Sequence, residues 1–405
     1  MANKVLDGYK KKLEDSKNII FHGAPGTGKT YLARNLAAYM VSDGKVKSFS
    51  KLNSEQRSNI EFVQFHPSYD YTDFVEGLRP KTDKNGNVRF ELKDGIFKSF
   101  IDKVIENNAS KALGPVKKAL EEMKGQKFQN EANAKKPTEF YISEINDEKV
   151  KVVLYVNGVK SVKDIVLSIR NIVKMVMIGK TFDILDEVRN VLKTGSDQRN
   201  TYYRIYANKI IDQIPDDIYD NHVFIIDEIN RGDFSKIIGE LFYAIDPGNR
   251  GPAGAVTTQF ANMHPDEDKF YIPDNVYIIG TMNDIDRSVV TFDFAVRRRF
   301  RFIEIDAESK YSKGMLDSLT NKNVALKKME ALNRTIVNTD GLNKKYQIGA
   351  SYFLKLNSLN NSYDLLWKDY LEPLLEEYVN GMYNEEAILK RFKEAYDSGE
   401  ASDED

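Results

Sequence analysis

The residues best suited to chemistry lie near the amino terminus, in a glycine-rich segment that ends in a lysine and a threonine. The segment reads Gly23, Ala24, Pro25, Gly26, Thr27, Gly28, Lys29, Thr30. An apolar run at 18–21 predicts a buried strand before it, and 31–40 predicts a helix after it. Backbone N–H groups of such a loop, together with the helix N-terminus, bind phosphate. We therefore predict nucleoside triphosphate binding along 23–31, with Lys29 at the β- and γ-phosphates, Thr30 on Mg²⁺ and Tyr31 closing the segment.

A pair of carboxylates follows a second apolar run at 222–226, which predicts a fully buried parallel strand. Asp227 is placed to hold Mg²⁺ through a water and forms the predicted metal site with Thr30. Glu228 is predicted to polarise the water that attacks the γ-phosphate. Together these residues complete a hydrolytic site.

Further polar residues follow the apolar run 276–280, which predicts another buried strand. Asn283 is predicted to position the attacking water, and Asp286 joins the catalytic set a few residues later. The arginine run 297–299 follows this strand closely in the sequence and could contribute to a nucleotide site shared between two subunits. An arginine finger that crosses a subunit boundary neutralises transition-state charge and raises the rate by ~10³–10⁵. The choice among Arg297, Arg298 and Arg299 is open.

Composition excludes several other kinds of site. The 405 residues carry a net charge of −2, so the chain as a whole does not favour a polyanion partner, and they include no cysteine, which excludes disulfides and thiolate metal sites. The four histidines form no cluster in the sequence, and the carboxylates at 266–268 lack the spacing of a nuclease site. No apolar run reaches the ~20 residues that span a bilayer, so we expect a cytoplasmic protein without membrane contact.

The pattern along the chain predicts an α/β fold with a parallel sheet at its core. Helices are predicted at 74–80 and 162–177, among others. The predicted domains are a nucleotide-binding core at 1–107 and 222–308, an inserted α+β subdomain at 108–221, a helical lid at 309–398 and a disordered acidic tail at 399–405.

These segments together resemble the McrB family, the nucleotide-hydrolysing motor subunits of modification-dependent restriction systems within the AAA+ class. The resemblance covers roughly 1–107 and 222–355 and is strongest at 65–71, 74–77, 227–232, 280–283 and 286–288, with weaker support at 297–300 and 348–353. It implies an AAA+ P-loop fold, a hexameric ring, a preference for GTP over ATP, and a partner, McrC, that carries the nuclease.

The resemblance also assigns roles and shows departures. Lys29 and Thr30 match the family's phosphate and Mg²⁺ contacts, and Asp227 with Glu228 matches its second nucleotide motif. Asn283 and Asp286 match the ends of a signature that usually reads Asn-Thr-Ala-Asp, whereas Asp284 and Ile285 stand in the middle here. The motor begins almost at Met1, so we expect the family's usual reader of modified DNA to be missing.

Several alternatives remain open at this point. The insert could contact DNA phosphates, or its lysines could form a solvated face, since Glu121, Glu122 and Glu131 are interleaved with them; these lysines are Lys111, Lys117, Lys118, Lys124, Lys127, Lys135 and Lys136. The guanine-specific Asn/Thr-Lys-x-Asp motif of small GTPases does not occur. The rival functions are a MoxR-like chaperone that remodels proteins with ATP, and a nucleotide-gated scaffold with little turnover.

Overall fold

The amino-terminal part of the chain alternates helices and strands around the glycine-rich loop. The structure, a computed structural model, describes residues 2–130, 138–264, 269–285 and 292–399. The first elements are α1 (Ala2–Ser16), β1 (Asn18–Gly23), α2 (Lys29–Val41), α3 (Ser54–Ser58), β2 (Ile60–Gln64), α4 (Tyr71–Phe74), β3 (Glu76–Thr82), β4 (Val88–Asp94) and α5 (Ile96–Glu122).

Strands and helices of the middle of the chain form a separate unit. They are β5 (Phe128–Asn130), β6 (Thr138–Ile145), β7 (Lys149–Val156), β8 (Val159–Lys160), β9 (Ile165–Ser168), α6 (Ile169–Val176), α7 (Leu185–Leu192) and α8 (Asp197–Ile210). The strands pair antiparallel in the order β5-β6-β7-β8, with β9 also on β7. Their apolar faces pack with α6, α8 and the second half of α5.

The chain then returns to the first sheet and ends in helices. The returning elements are β10 (His222–Asp227), α9 (Phe234–Ile238), α10 (Leu241–Ala244), β11 (Val276–Asn283), α11 (Phe294–Arg299) and β12 (Arg301–Glu304). The last helices are α12 (Lys310–Gly314), α13 (Lys322–Val337), α14 (Ala350–Phe353), α15 (Tyr363–Leu366), α16 (Glu372–Val379) and α17 (Glu385–Ser398). A π-helical turn, Trp367–Leu371, joins α15 to α16.

Five strands form a parallel sheet in the order β12-β1-β11-β10-β2. Alternate residues of β1 face opposite sides of it: Ile19 and Phe21 pack against α1 and α2, whereas Ile20 faces the core that contains α5 and α9. Because all five strands run in one direction, their carboxyl ends meet at one edge. That edge carries the glycine-rich loop, the paired carboxylates and Asn283.

The structure corrects two predicted helices. Residues 74–80 do not form a helix, because α4 ends at Phe74 and β3 follows as half of an antiparallel hairpin with β4. Residues 162–177 begin with strand β9, whose Ile165 and Leu167 alternate into the insert core before α6 starts. The predicted boundary at 107/108 falls inside α5, which runs unbroken from the main core into the insert core.

Several predicted features cannot be compared with the fold. The carboxylates at 266–268, Lys135, Lys136 and Glu131 lie outside the described residues, as does the tail from 400 onward. Within the described part of the chain, no helix combines the length and apolar character needed to cross a membrane.

Candidate nucleotide-binding and hydrolysis site

The glycine-rich loop turns from β1 into α2 and contains two glycines with positive φ. Gly26 and Gly28 have φ values of 75° and 86°, in the left-handed region that favours glycine. α2 begins at Lys29, so its unpaired N–H groups point into the loop. A helix N-terminus of this kind can bind an anion, and the phosphate site at 23–31 stays a prediction.

Lys29 is buried under the loop and points toward its carbonyl oxygens. Its Nζ donates to Gly23 O at 3.1 Å and to Ala24 O at 2.8 Å. Burial lowers the pKa of Lys29 to about 8, although the charges of Glu228, Asp284 and Asp227 work in the opposite direction. Phosphate oxygens at this position would compete with the two carbonyl oxygens for the same ammonium group.

Thr30 and Asp227 meet where a metal ion would sit beside the phosphates. The Thr30 hydroxyl donates to Asp227 Oδ1 at 2.7 Å, and the Thr281 hydroxyl of β11 donates to the same oxygen. Among the described residues, no group of three or more His, Asp or Glu side chains could hold a metal by itself. Hydroxyl and carboxylate oxygens fit Mg²⁺, which is usually bound by one or two protein groups, waters and substrate phosphates.

Glu228 is held in an unusual backbone conformation that aims its carboxylate at Asn283. Its φ and ψ are 51° and 44°, left-handed values that cost a non-glycine residue free energy. Asn283 Nδ2 donates to Glu228 Oε1 at 2.9 Å, and the Glu228 N–H donates to the Thr281 hydroxyl at 3.3 Å. Asn230 Nδ2 in turn donates to the Asn283 carbonyl at 3.2 Å. The carboxylate and the amide are therefore positioned as a pair.

Asp284, one of the two residues that depart from the family signature, contacts His22. His22 Nδ1 lies 3.1 Å from Asp284 Oδ2, and the Asp284 N–H donates to Gly23 O at 3.3 Å. Burial alone would raise the pKa of Asp284, but the hydrogen bond and charge of His22, with Lys345 and Lys29 nearby, lower it on balance. Sequence reasoning treated His22 and Asp284 separately, because it is the register of β1 against β11 in the structure that brings them together.

The arginine run divides into side chains with different surroundings. Arg299 is buried, stacks on Phe242 with its guanidinium carbon 4.1 Å from the ring centre, and lies 3.8 Å from an Asp246 oxygen. Arg297 is exposed and lies over the Phe302 ring at 5.3 Å. Arg298 is exposed and makes no hydrogen bond or ion pair with the part of the chain that the structure describes. Arg297 and Arg298 are therefore both accessible to another molecule, and only Arg297 of the two has a ring contact within the described residues.

The last helical region, which was predicted to be a lid, contacts the loop through the segment 348–353. The Gly349 N–H donates to Pro25 O and the Ser351 N–H donates to Gly26 O, both at 2.9 Å. The Tyr352 ring covers Gly26, where a Cβ would lie 2.6 Å from it. The signal was available in the 348–353 segment that the resemblance singled out, but no role had been attached to it.

The remaining predicted residues are not among those that the sheet edge brings together in the described part of the chain. Asp286, like Arg287 and Ser288 of the signature, lies outside the described residues. Tyr31 is largely exposed at the start of α2. Each described lysine of the candidate DNA-contacting set lies within 4.0 Å of a carboxylate: Lys111 with Asp220, Lys117 with Asp147, Lys118 with Glu122, Lys124 with Glu121, and Lys127 with Glu139.

Models of known protein families match three parts of the chain. Residues 325–386 match "McrB, alpha-helical lid domain", residues 185–300 match "AAA domain (dynein-related subfamily)", and residues 1–66 match "Novel STAND NTPase 3". The first match falls on the helices that close over the loop, and the second includes β10, β11 and the arginine run.

Two curated relatives are restriction proteins. The chain is 29% identical over 385 residues to the type IV methyl-directed restriction enzyme EcoKMcrB subunit of Escherichia coli K12, which covers 91% of this chain and 55% of that protein. It is 30% identical over 104 residues to the type II restriction enzyme BsuMI component YdiS of Bacillus subtilis 168, which covers 24% of this chain and 30% of that protein. The chain thus spans about half the length of the first relative and less of the second.

The parallel sheet, the phosphate loop at its edge and the helical lid define an AAA+ P-loop NTPase. The matches of residues 1–66 to an NTPase model and of residues 325–386 to a lid model agree with this class. Within it, the chain is similar to the McrB family: residues 325–386 match the family's lid domain, and 385 residues are 29% identical to the Escherichia coli subunit.

Proposed function

We propose that this chain is a ring-forming NTPase that hydrolyses GTP in preference to ATP. In this role it powers DNA translocation and restriction by an McrC-like nuclease partner, as a defence against foreign DNA in the cytoplasm. The preference for GTP, the hexameric ring and the partner follow from the family resemblance. The hydrolysis itself is supported by the geometry of this chain's own residues.

The proposed reaction uses residues that the sheet edge brings together. Loop N–H groups and Lys29 bind the phosphates, while Thr30 and Asp227 would hold Mg²⁺, which supplies charge neutralisation when bound. Glu228 accepts a proton from the attacking water as Asn283 orients it. The new bond joins the water oxygen to the γ-phosphorus, and the nucleoside diphosphate leaves.

The observation that carries this proposal is the contact between Glu228 and Asn283. A carboxylate held in a strained left-handed conformation and fixed by a neighbouring amide is a costly arrangement, and such strain concentrates at functional sites. Lys29 and Thr30 come to the same edge from the other side of β11. The scaffold hypothesis gives no reason for these residues to converge.

The decisive experiment compares GTP and ATP hydrolysis by the wild type and by Glu228→Gln, with and without a candidate nuclease partner. Glutamine can still accept the Asn283 hydrogen bond but cannot take up a proton, so we expect normal nucleotide binding and turnover reduced about 10²- to 10⁴-fold. The exposed Glu55→Gln is the matched control and should match the wild type. Normal turnover in Glu228→Gln would refute the role assigned to this carboxylate.

Three outcomes separate the rival functions. Faster GTP turnover with the nuclease partner supports the restriction motor. Turnover restricted to ATP and stimulated by an unfolded protein supports the chaperone. Binding without turnover by the wild type under every condition supports the scaffold.

A further inference from the structure

The outer face of α11 combines an exposed aromatic side chain with an exposed arginine. Phe294 is 90% exposed, which is unusual for a phenylalanine, and Arg298 is exposed as well. The two lie four residues apart, so they are neighbours on one side of the helix. We call this pair the α11 face.

The exposure of Phe294 does not come from a loosely attached helix. Asp293 caps α11 by accepting from the Val296 N–H at 2.9 Å, and Val296 and Phe300 are buried in the main core. Arg299 is fixed by Asp246 and by Phe242. A short helix held at both ends thus presents an apolar ring to solvent, which is a common property of interfaces.

Arg298 lies near the amino-terminal ends of the parallel strands, whereas its own nucleotide site lies at their carboxyl ends. The Arg299 carbonyl accepts from Asn18 Nδ2 at 3.0 Å, and Asn18 is the first residue of β1. The phosphate loop starts at Gly23, at the other end of that strand, about 17 Å away at ~3.3 Å per residue. This distance exceeds the length of an arginine side chain. The guanidinium can therefore reach only a site on another molecule.

We propose that Phe294 docks on a second copy of this chain, beside that copy's phosphate loop, and thereby positions Arg298 at the bound nucleotide. The inference rests on the proposed function, since it assigns a partner surface to the shared hydrolytic site. Phe294 acts here as a positioning residue and contributes binding area. Arg298 supplies the charge.

The absence of cysteine from the chain allows a direct test that does not need hydrolysis. Phe294→Cys is labelled with a maleimide dye, and the labelling rate of the monomer is compared with that of the assembly. The assembly is formed at high protein concentration with a non-hydrolysable GTP or ATP analogue, and sedimentation verifies it. Tyr383→Cys is the matched control, because Tyr383 is also 90% exposed but belongs to the lid. We expect labelling of Phe294→Cys to slow at least about tenfold on assembly, while labelling of Tyr383→Cys stays unchanged.

A second test separates docking from charge. Phe294→Ala should raise the protein concentration that gives half-maximal turnover at least about tenfold, with full activity recovered when assembly is complete. Arg298→Ala should sediment as the wild type does but lose turnover at every concentration. Tyr383→Ala should match the wild type in both measurements.

Each alternative result has a distinct meaning. Equal labelling in monomer and assembly, or a wild type that stays monomeric at the highest concentration with nucleotide, overturns the inference. Protection that appears only after a nuclease partner is added also overturns it, because the occupant is then not a second copy. If assembly protects Phe294→Cys but neither GTP nor ATP is hydrolysed, the docking surface stands and the proposed function fails.

Discussion

At the scale of single residues, Lys29 shows how the site balances burial against charge. Removing the ammonium from water favours its neutral form and lowers the pKa from 10.5 to about 8. Between these two values the unfolded chain binds the proton that the folded chain has lost. The folded, nucleotide-free protein should therefore gain stability as the pH rises through this window.

Nucleotide affinity should depend on pH in the opposite direction. Phosphate beside Lys29 raises its pKa, so the protein binds nucleotide best when Lys29 is already protonated, and affinity should fall roughly five- to tenfold between pH 7.5 and 9. Titrations with a fluorescent nucleotide at each pH measure this. Lys29→Arg remains charged throughout, so its affinity should stay level. A wild type whose affinity changes no more than that of Lys29→Arg would show that Lys29 keeps its proton in the free protein.

The residue types of the site could be predicted, but their mutual contacts could not. Lys29, Asp227 and Asn283 stand where their motifs imply, because strand ends meet at one edge of a parallel sheet. The pairing of His22 with Asp284 depends on the register of β1 against β11, which no local pattern encodes. Arg298 and Arg299 were equivalent in the sequence, and only the packing of Arg299 on Phe242 distinguishes them.

At the scale of elements, buried parallel strands were the most predictable features. The runs that became β10 and β11 are continuous apolar stretches, and their type and position agree with the prediction. The hairpin of β3 and β4 was missed at its first strand, because 74–80 lacks a clear alternation and ends in proline. β9 was missed because it runs directly into α6 without a breaker between them.

Contact between the lid and the phosphate loop depends on the absence of a side chain at Gly349. A Cβ there would lie 2.1 Å from the Gly26 carbonyl carbon and 2.2 Å from the Thr27 nitrogen. The segment is also fixed from behind, since buried Asn333 exchanges two hydrogen bonds with the Ile348 backbone. Because the loop backbone lies on one side of Gly349 and the bonded Ile348 backbone fixes the other, the segment cannot shift to make room for a Cβ.

Gly349→Ala should therefore separate the lid from the loop. We expect nucleotide affinity to fall at least about tenfold and unfolding to cost roughly 1–3 kcal/mol less. Isothermal titration and thermal melting measure the two effects. Gly314→Ala is the control, because no atom lies within 4 Å of a Cβ there and its helical φ of −63° suits alanine. If Gly349→Ala binds nucleotide as Gly314→Ala does, the lid contact has no part in binding.

At the scale of the whole molecule, the segments that enter and leave the insert lie next to each other. Lys111 Nζ lies 2.6 Å from Asp220 Oδ1, and Asn275 bonds both to Asn108 and to the Asp220 carbonyl. The insert also has a hydrophobic core of its own. Sequence reasoning could predict an interruption between the two nucleotide motifs, but the shared helix α5 hid where it begins.

This geometry predicts that residues 112–219 can be replaced by a short glycine–serine linker without loss of the nucleotide site. We expect the shortened protein to bind nucleotide within about threefold of the wild type, because each loop and strand of the site has its contacts outside the insert. A nucleotide titration and a thermal melt check this. Loss of folding would instead mean that the second half of α5 is needed by the main core.

The same variant tests whether the insert binds DNA. We expect the wild type to bind DNA modestly and more weakly with added salt, and the shortened protein to lose this binding, as measured by fluorescence anisotropy at low salt. The ion pairs around the insert lysines reduce the free charge available, so few phosphate contacts are expected. Lys118 and Lys127 are both exposed, so Lys118→Glu with Lys127→Glu should leave the insert folded. This variant should lower the salt slope by about 1 for each phosphate contact removed. Lys322→Glu with Lys368→Glu makes the same charge change in the lid and should leave DNA binding unaltered. DNA binding that survives deletion of the insert would assign this contact to another surface or to the partner.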